Sequence, residues 1–239
     1  AKYLDGDFVL KQEFLSGDAD REDVLTRCER YAGWTIPSIF PDDNLIDSEE
    51  MQNDYQSVGA QAVTNLSNKI MMALFQPSRP FFRMNLSQEQ RMEVVASGVE
   101  EAQVDVALAE TERAAMRELD KTNARIIMHS VLQQLVITGN SLLHAPNDLP
   151  MVAYSLRDYT IKRDLRGSVV NMVIRETKAV VGLSDELQEL ALSQGYSETD
   201  DVSIYTGIRR VDNKRFFVWQ ELEDICYCHN KIGIYDRST

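Results

Sequence analysis

The sequence predicts an α+β fold, with a helical N-terminal half followed by a mainly antiparallel sheet and one short helix. Three observations carry that prediction. Apolar residues recur at helical spacing in successive segments up to Thr138. After Gly139-Asn140 the pattern changes to short runs rich in branched and aromatic residues, with turn signals between them. Helices first and strands later, without regular strand–helix alternation, is the α+β order. With 239 residues, 44% of them hydrophobic and 26% charged, the chain has the apolar content of an ordinary globular protein.

Residues 1–17 read as a flexible acidic arm. A helix follows, with Asp18 or Asp20 as its cap, Glu22 and Asp23 at the positive end of its dipole, and a stripe of Val24, Leu25, Cys28 and Tyr31 that ends at Gly33. From Trp34 to Asp54, Pro37, Pro41 and many acids indicate a long loop anchored by Trp34, Ile36, Ile39 and Phe40. A second helix is expected over 55–75, with Val58, Ala62, Leu66, Ile70, Ala73 and Leu74 on one face. Pro77 and Pro80 end it, and the alternation of Phe82–Leu86 suggests a short strand. The longest helical pattern starts at Ser87, a good N-cap, and runs to about Thr122, with an interruption at Gly98. Another helix is expected over 123–138. Strands are expected at 141–144, 151–155, 159–163 and 169–176, the last two joined by a hairpin at Arg166-Gly167. A short helix over 184–194 closes at Gly195, and strands over 202–209 and 215–221 flank a turn at Asp212-Asn213.

Net charge is −13 and unevenly spread: −9 over residues 1–60, −3 over 61–120, +4 over 121–180 and −5 over 181–239. Tight sequence-independent binding to nucleic acid relies on Lys and Arg neutralising phosphates, so the chain as a whole is a poor candidate for it. Arg157, Lys162, Arg163 and Arg166 form the one basic stretch. It reads either as a solvated hairpin of mixed charge or as a patch facing DNA or a partner.

No apolar run approaches the length of a membrane helix, and the first residues lack the pattern of a secretory signal, so the expectation is a protein made and kept in a cytoplasm. Cys28, Cys226 and Cys228 are expected to be reduced. Chemistry is sparse. There is no glycine-rich phosphate loop, and His129, His144 and His229 stand apart. His129, in an apolar helix, reads as a structural imidazole. Cys226, Cys228 and His229 are the only cluster resembling metal ligands, and two cysteines on one face of a strand explain it as well. The residues point to no catalytic site, no cofactor and no bound metal.

Specific stretches resemble a known family. Arg30–Pro41 (RYAGWTIPSIFP) is similar to the Y-T-I-P-S-L-F-P segment of the portal, or head-to-tail connector, proteins of short-tailed bacteriophages (podovirus, autographivirus-like). Tyr55–Ala60 running on to Asn65–Phe75 resembles the next block, Q-x-V-G-A followed by N-N-L-x-x-K-L-M-x-A-L-F. Gln134–Leu143 is similar to Q-L-V-x-x-G-N-x-L-L, and Tyr154–Tyr159 with Arg163-Asp164 and Gly167 resembles Y-x-L-x-x-Y-x-x-x-R-D-x-x-G. The blocks keep the family's order and spacing from about residue 20 to residue 210.

That resemblance implies a structural virion protein and not an enzyme. The family assembles as a ring, typically a dodecamer, at one capsid vertex. Double-stranded DNA is packaged and later ejected through it without sequence recognition. The implied partners are capsid and scaffolding proteins, the terminase motor, the tail adaptor and internal core proteins. Residues 18–239 would form the wing, without the stem, clip and crown, and the chain would reside in the virion after assembly in the host cytoplasm. Ring assembly needs apolar lateral surfaces, for which Trp34, Ile39, Phe40, Phe81 and Phe82 are candidate anchors, with plain core as the other reading. Arg79 is a candidate partner for an acid on a neighbouring subunit. The competing readings are another head–tail adaptor and a metal-dependent enzyme built on Cys226–His229.

Overall fold

A computed structural model describes residues 10–40, 57–76, 80–146, 150–212, 215–223, 225–226 and 233–236. In chain order its helices are α1 (Leu10–Ala19), α2 (Glu22–Gly33), α3 (Val58–Leu74), α4 (Gln88–Ala96), α5 (Glu101–Lys121) and α6 (Ala124–Thr138). Strands β1 (Leu142–His144), β2 (Val152–Tyr154), β3 (Tyr159–Arg163) and β4 (Val169–Ala179) follow, then α7 (Asp185–Ser193), β5 (Asp201–Arg210), β6 (Arg215–Leu222), β7 (Ile225–Cys226) and β8 (Gly233–Asp236). The chain is therefore α+β, helical first and antiparallel later. It divides into two compact units, one of residues 1–27 with 155–239, the other of residues 28–154. The reading of residues 18–239 as one domain does not anticipate that division.

The first unit is built on a six-stranded antiparallel sheet ordered β3-β4-β5-β6-β7, with β8 also pairing β6. Val173 faces Gly207 across one strand pair and Gly207 faces Trp219 across the next, so these residues share a face. Helix α1 lies on that face. Leu10 and Phe14 are fully buried with Val173, Tyr205, Phe217 and Trp219. Gly207 is required there: a Cβ would stand 2.6 Å from Leu10 Cδ2 and 2.9 Å from the Trp219 ring. The Leu10 N–H and Trp219 Nε1–H each donate at 2.9 Å to the carboxylate of Glu221, a buried residue. Glu13 accepts from Asn171 at 2.9 Å and pairs with Arg209. On the opposite face, Val202, Ile204 and Leu222 pack against Leu187 and Ala191 of α7 and against Val180 in the turn before it.

Residues 10–17 thus correct the expectation of a flexible arm. Acidic Glu13 and Gly17 disguise a helix because their partners, Asn171, Arg209 and Thr160, lie far away in sequence. Residues 1–9 lie outside the described residues.

In the second unit α3 packs on α6, with Val63 and Ser67 of α3 and Val131 and Leu132 of α6 buried. The predicted apolar face of α3 is not the buried one: Val58, Leu66 and Leu74 are exposed. His129 on α6 bonds Asn68 on α3 at 3.0 Å, a structural role. Ser87 forms a capping box with Gln90 at the start of α4, and Gly98, at φ 93, separates α4 from α5. Gly139 takes the left-handed conformation that closes α6. Asn123 exchanges two side-chain bonds with the backbone of Met151, tying α6 to the β1–β2 ribbon. Phe82–Leu86 does not form the expected strand, since no strand among the described residues pairs with it.

Candidate functional site

The candidate functional residues are those that the fold holds at the surface without a covering element among the described residues. The first group surrounds Trp34. The last turn of α2 places the Arg30 guanidinium 5.5 Å from the Trp34 ring centroid and 5.9 Å from that of Tyr31. The two rings stand 6.0 Å apart. Thr35 Oγ1 donates to Tyr31 O at 2.7 Å and fixes the turn. A Cβ on Gly59 would meet Trp34 O at 2.2 Å, so the backbone after α2 lies directly on the first turn of α3. Beside it, Val58 is 69% exposed and Trp34 62% exposed. An indole presented this way, with its ring braced by a guanidinium, has the features of an interface anchor.

The other aromatic residues separate. Ile39 is half-buried and Phe40, at 2% exposure, is a core residue. This corrects its place among candidate surface anchors: the single helical turn Pro37–Ile39 directs the chain inward. Phe81 is exposed, Phe82 half-buried, and Phe75, Phe81 and Phe82 stack edge-on at 5.1 and 5.3 Å. Arg79 lies outside the described residues.

Next to this aromatic ladder is an apolar recess of about 200 Å³ that the sequence reading missed. Met71, Phe75, Phe81, Leu119, Met128 and Met151 line it. Arg125 also borders it, with its guanidinium bound to Asp120 at 2.8 Å and to Phe75 O at 2.9 Å. Methionines recurring on helices look like core in a sequence, which is why the recess had no signal there.

The basic residues lie in the first unit. Lys162 and Arg163 end β3 and Arg166 sits in the β3–β4 turn, all exposed. Arg157 is half-buried in the single helical turn Leu156–Asp158 that precedes β3, at the opposite end of that strand from Lys162 and Arg163. It does not belong to the tip cluster. Asp164 organises the turn: Oδ1 accepts the Arg166 and Ser168 N–H groups at 2.9 Å each, and Oδ2 pairs with Arg210 at 2.9 Å. The Arg210 guanidinium, helped by the Ser168 N–H, holds the Asp164 carboxyl below the usual carboxylate range. Arg163 donates to Gly167 O at 2.9 Å, and Gly167 supplies the positive φ of 81° that the turn demands. The result is a clamped hairpin with Leu165 at its tip, at 108% exposure.

Among the described residues no group of three or more His, Cys, Asp or Glu is placed to hold a metal. The side chains of Cys226, Cys228 and His229 lie outside the described residues, so the cluster they form in sequence has no geometry here. No helix among the described residues is long and apolar enough to cross a membrane.

Comparison with known proteins adds what the geometry cannot. Residues 10–229 match the family model described as bacteriophage head to tail connecting protein. The chain is 32% identical over 212 residues to the portal protein of Escherichia phage T7, covering 85% of this chain and 39% of that protein. It is 30% identical over 213 residues to the portal protein of Enterobacteria phage T3, covering 86% and 40%, and 29% identical over 210 residues to that of Enterobacteria phage SP6, again covering 86% and 40%. The chain therefore spans about two-fifths of the length of these relatives. Because the family match extends through both structural units, the chain belongs to the bacteriophage head-to-tail connecting protein family.

Proposed function

We propose that this chain serves as the wing part of a portal, a ring at one capsid vertex through which double-stranded DNA enters and leaves the head. The match of residues 10–229 to the connector family carries the reading, and the relatives named portal proteins support it. The role is structural and not enzymatic. The ring meets capsid and scaffolding proteins on assembly, then the packaging motor, and later the tail adaptor and internal core proteins. It forms in the host cytoplasm and stays in the virion. Trp34, braced by Arg30 and flanked by exposed Val58, is an anchor of the contact between copies, with Phe81 a second. The acidic balance of −13 suits a channel wall past which DNA moves without adhering. Lys162, Arg163 and Arg166 face a partner or the DNA backbone.

Gold labelling of this chain in purified virions tests the reading. Label confined to the tail-bearing vertex is expected. Label spread over all vertices, or none in intact particles, would overturn it.

A further inference from the structure

We propose that the β3–β4 hairpin tip, where Leu165 stands among Lys162, Arg163 and Arg166, docks on the opposite, acidic end of the same sheet in a second copy, at Val181 and the outer face of α7. The contact deepens the ring reading and rests on it.

The hairpin is basic and held in shape. Its turn is closed by the Asp164 N–H to Ser168 O and the Gly167 N–H to Asp164 O, each 2.9 Å. It is closed again by the bonds from Arg166, Ser168 and Arg210 to the Asp164 carboxylate. Asp164, Asp212 and Glu13, acids at this end of the sheet, are paired with Arg210, Arg215 and Arg209. Lys162, Arg163 and Arg166 are exposed, and their three charges stand beyond these pairs. Leu165 projects among them at 108% exposure. A preorganised projection loses little freedom on docking.

The other end of the same sheet carries the opposite charge. From Ala179 to Ile208 the sequence has six acids and no lysine or arginine. The backbone gathers them. The Val180 N–H donates to Asp200 O at 2.9 Å, the Val181 N–H donates to Glu198 O at 3.1 Å, and Asp201 faces Ala179 across β4 and β5. Helix α7 follows, burying Leu187 and Ala191 and leaving Asp185, Glu189 and Leu192 exposed at i, i+4 and i+7. The cations bordering this end, Lys178 and Lys11, already pair with Glu176 at 3.6 Å and Glu223 at 3.0 Å, so the six acids leave it net negative. Val181 is 64% exposed amid these acids, the apolar counterpart of Leu165.

Within one copy the two ends do not meet. Strand β4, 11 residues long, runs from the hairpin to Ala179, a span of about 33 Å at ~3.3 Å per residue. A contact between the ends therefore joins two copies. Unlike patches at opposite ends of one unit make a heterologous contact, which adds copies head to tail and closes into a ring when the rotation allows. Their opposite potentials steer copies into that register. A duplex is the weaker match for the tip. Three cations neutralise about three phosphates, on a chain of net charge −13, and a phosphate backbone offers nothing apolar to Leu165.

The test places a photoreactive benzophenone amino acid at position 165 of the natural protein. The protein is assembled from a mixture of heavy-nitrogen-labelled and unlabelled copies. The expected crosslinked peptides contain Val181 or residues of α7 and join copies of different label. Crosslinks only within one copy, to another surface of the second copy, to another virion protein or to DNA would overturn the proposal. Independently, Arg166→Glu and Val181→Lys are each expected to raise the concentration of half assembly about tenfold at low salt, as a like charge enters the contact. Combined, they should raise it by less than the product of the two factors, because the new lysine meets the new glutamate. Both positions are exposed, so neither change should move the unfolding midpoint. Factors that simply multiply, or normal assembly of either variant, would overturn this contact and leave the ring reading standing. Absence of rings from the unmodified protein would overturn both.

Discussion

Replacing Glu221 by alanine tests the attachment of α1 to the sheet. Glu221 is 3% exposed, and its two carboxylate oxygens each accept one bond at 2.9 Å, from the Leu10 N–H and from Trp219 Nε1. Alanine leaves two buried donors without an acceptor, and each orphaned donor costs about 1–3 kcal/mol. The gain from no longer burying a carboxylate offsets part of this. The net expectation is a loss of about 2–4 kcal/mol from the first unit, a range in which such buried-network losses fall. Leu10 and Phe14 are fully buried, so the loss should appear first as loosening of α1. Denaturant unfolding followed by circular dichroism gives the stability change, and amide hydrogen exchange of residues 10–19 shows where it acts. A loss below about 1 kcal/mol, the scale of one ordinary hydrogen bond, or unchanged protection of α1, would refute the reasoning.

Gly207→Ala should destabilise the same unit by about 1–3 kcal/mol in thermal unfolding, because the new Cβ stands 2.6 Å from Leu10 Cδ2 beneath α1. Trp34→Ala should leave the unfolding midpoint nearly unchanged, since the ring is 62% exposed, while reducing ring yield in sedimentation analysis. Normal rings from that variant would remove Trp34 from the interface. The Asp164 clamp predicts a pH dependence of the hairpin. Its carboxyl is held below the usual range, so its contribution is fully present above about pH 4, the ordinary aspartate value, and is lost as pH falls through the lower folded value. The Arg166 and Ser168 amide resonances should therefore keep their shifts at pH 5 and move only in more acid solution, and Asp164→Ala should abolish that movement.

Local signals made much of the fold legible. Ser87 with Gln90, Gly139 after α6, Gly195 after α7 and the Gly167 turn each act within a few residues, so the elements they bound were readable. Strand alternation likewise placed β5 and β6, whose register pairs Gly207 with Trp219. The misses came where a distant partner decides. The partners of α1 lie more than 140 residues away, and nothing near Glu13 announces them. The buried face of α3, with Val63 and Ser67, is set by its packing on α6, against the helix's own apolar stripe. Phe82–Leu86 alternates like a strand but finds no ladder among the described residues. At the candidate site Trp34 is exposed, whereas Phe40 is turned into the core. Leu165 and the methionine-lined recess had no local signal, because exposure and concavity are properties of the assembled fold. The connector family was readable from the blocks at Arg30–Pro41, Tyr55–Phe75, Gln134–Leu143 and Tyr154–Gly167, and the family match spans all of them.

Native mass spectrometry of the natural protein, with negative-stain imaging of the same sample, tests the central claim most directly. The account predicts one high-mass species made of a fixed number of copies, imaged as closed rings with a central hole. A discrete monomer or dimer across a range of salt and protein concentrations would contradict it.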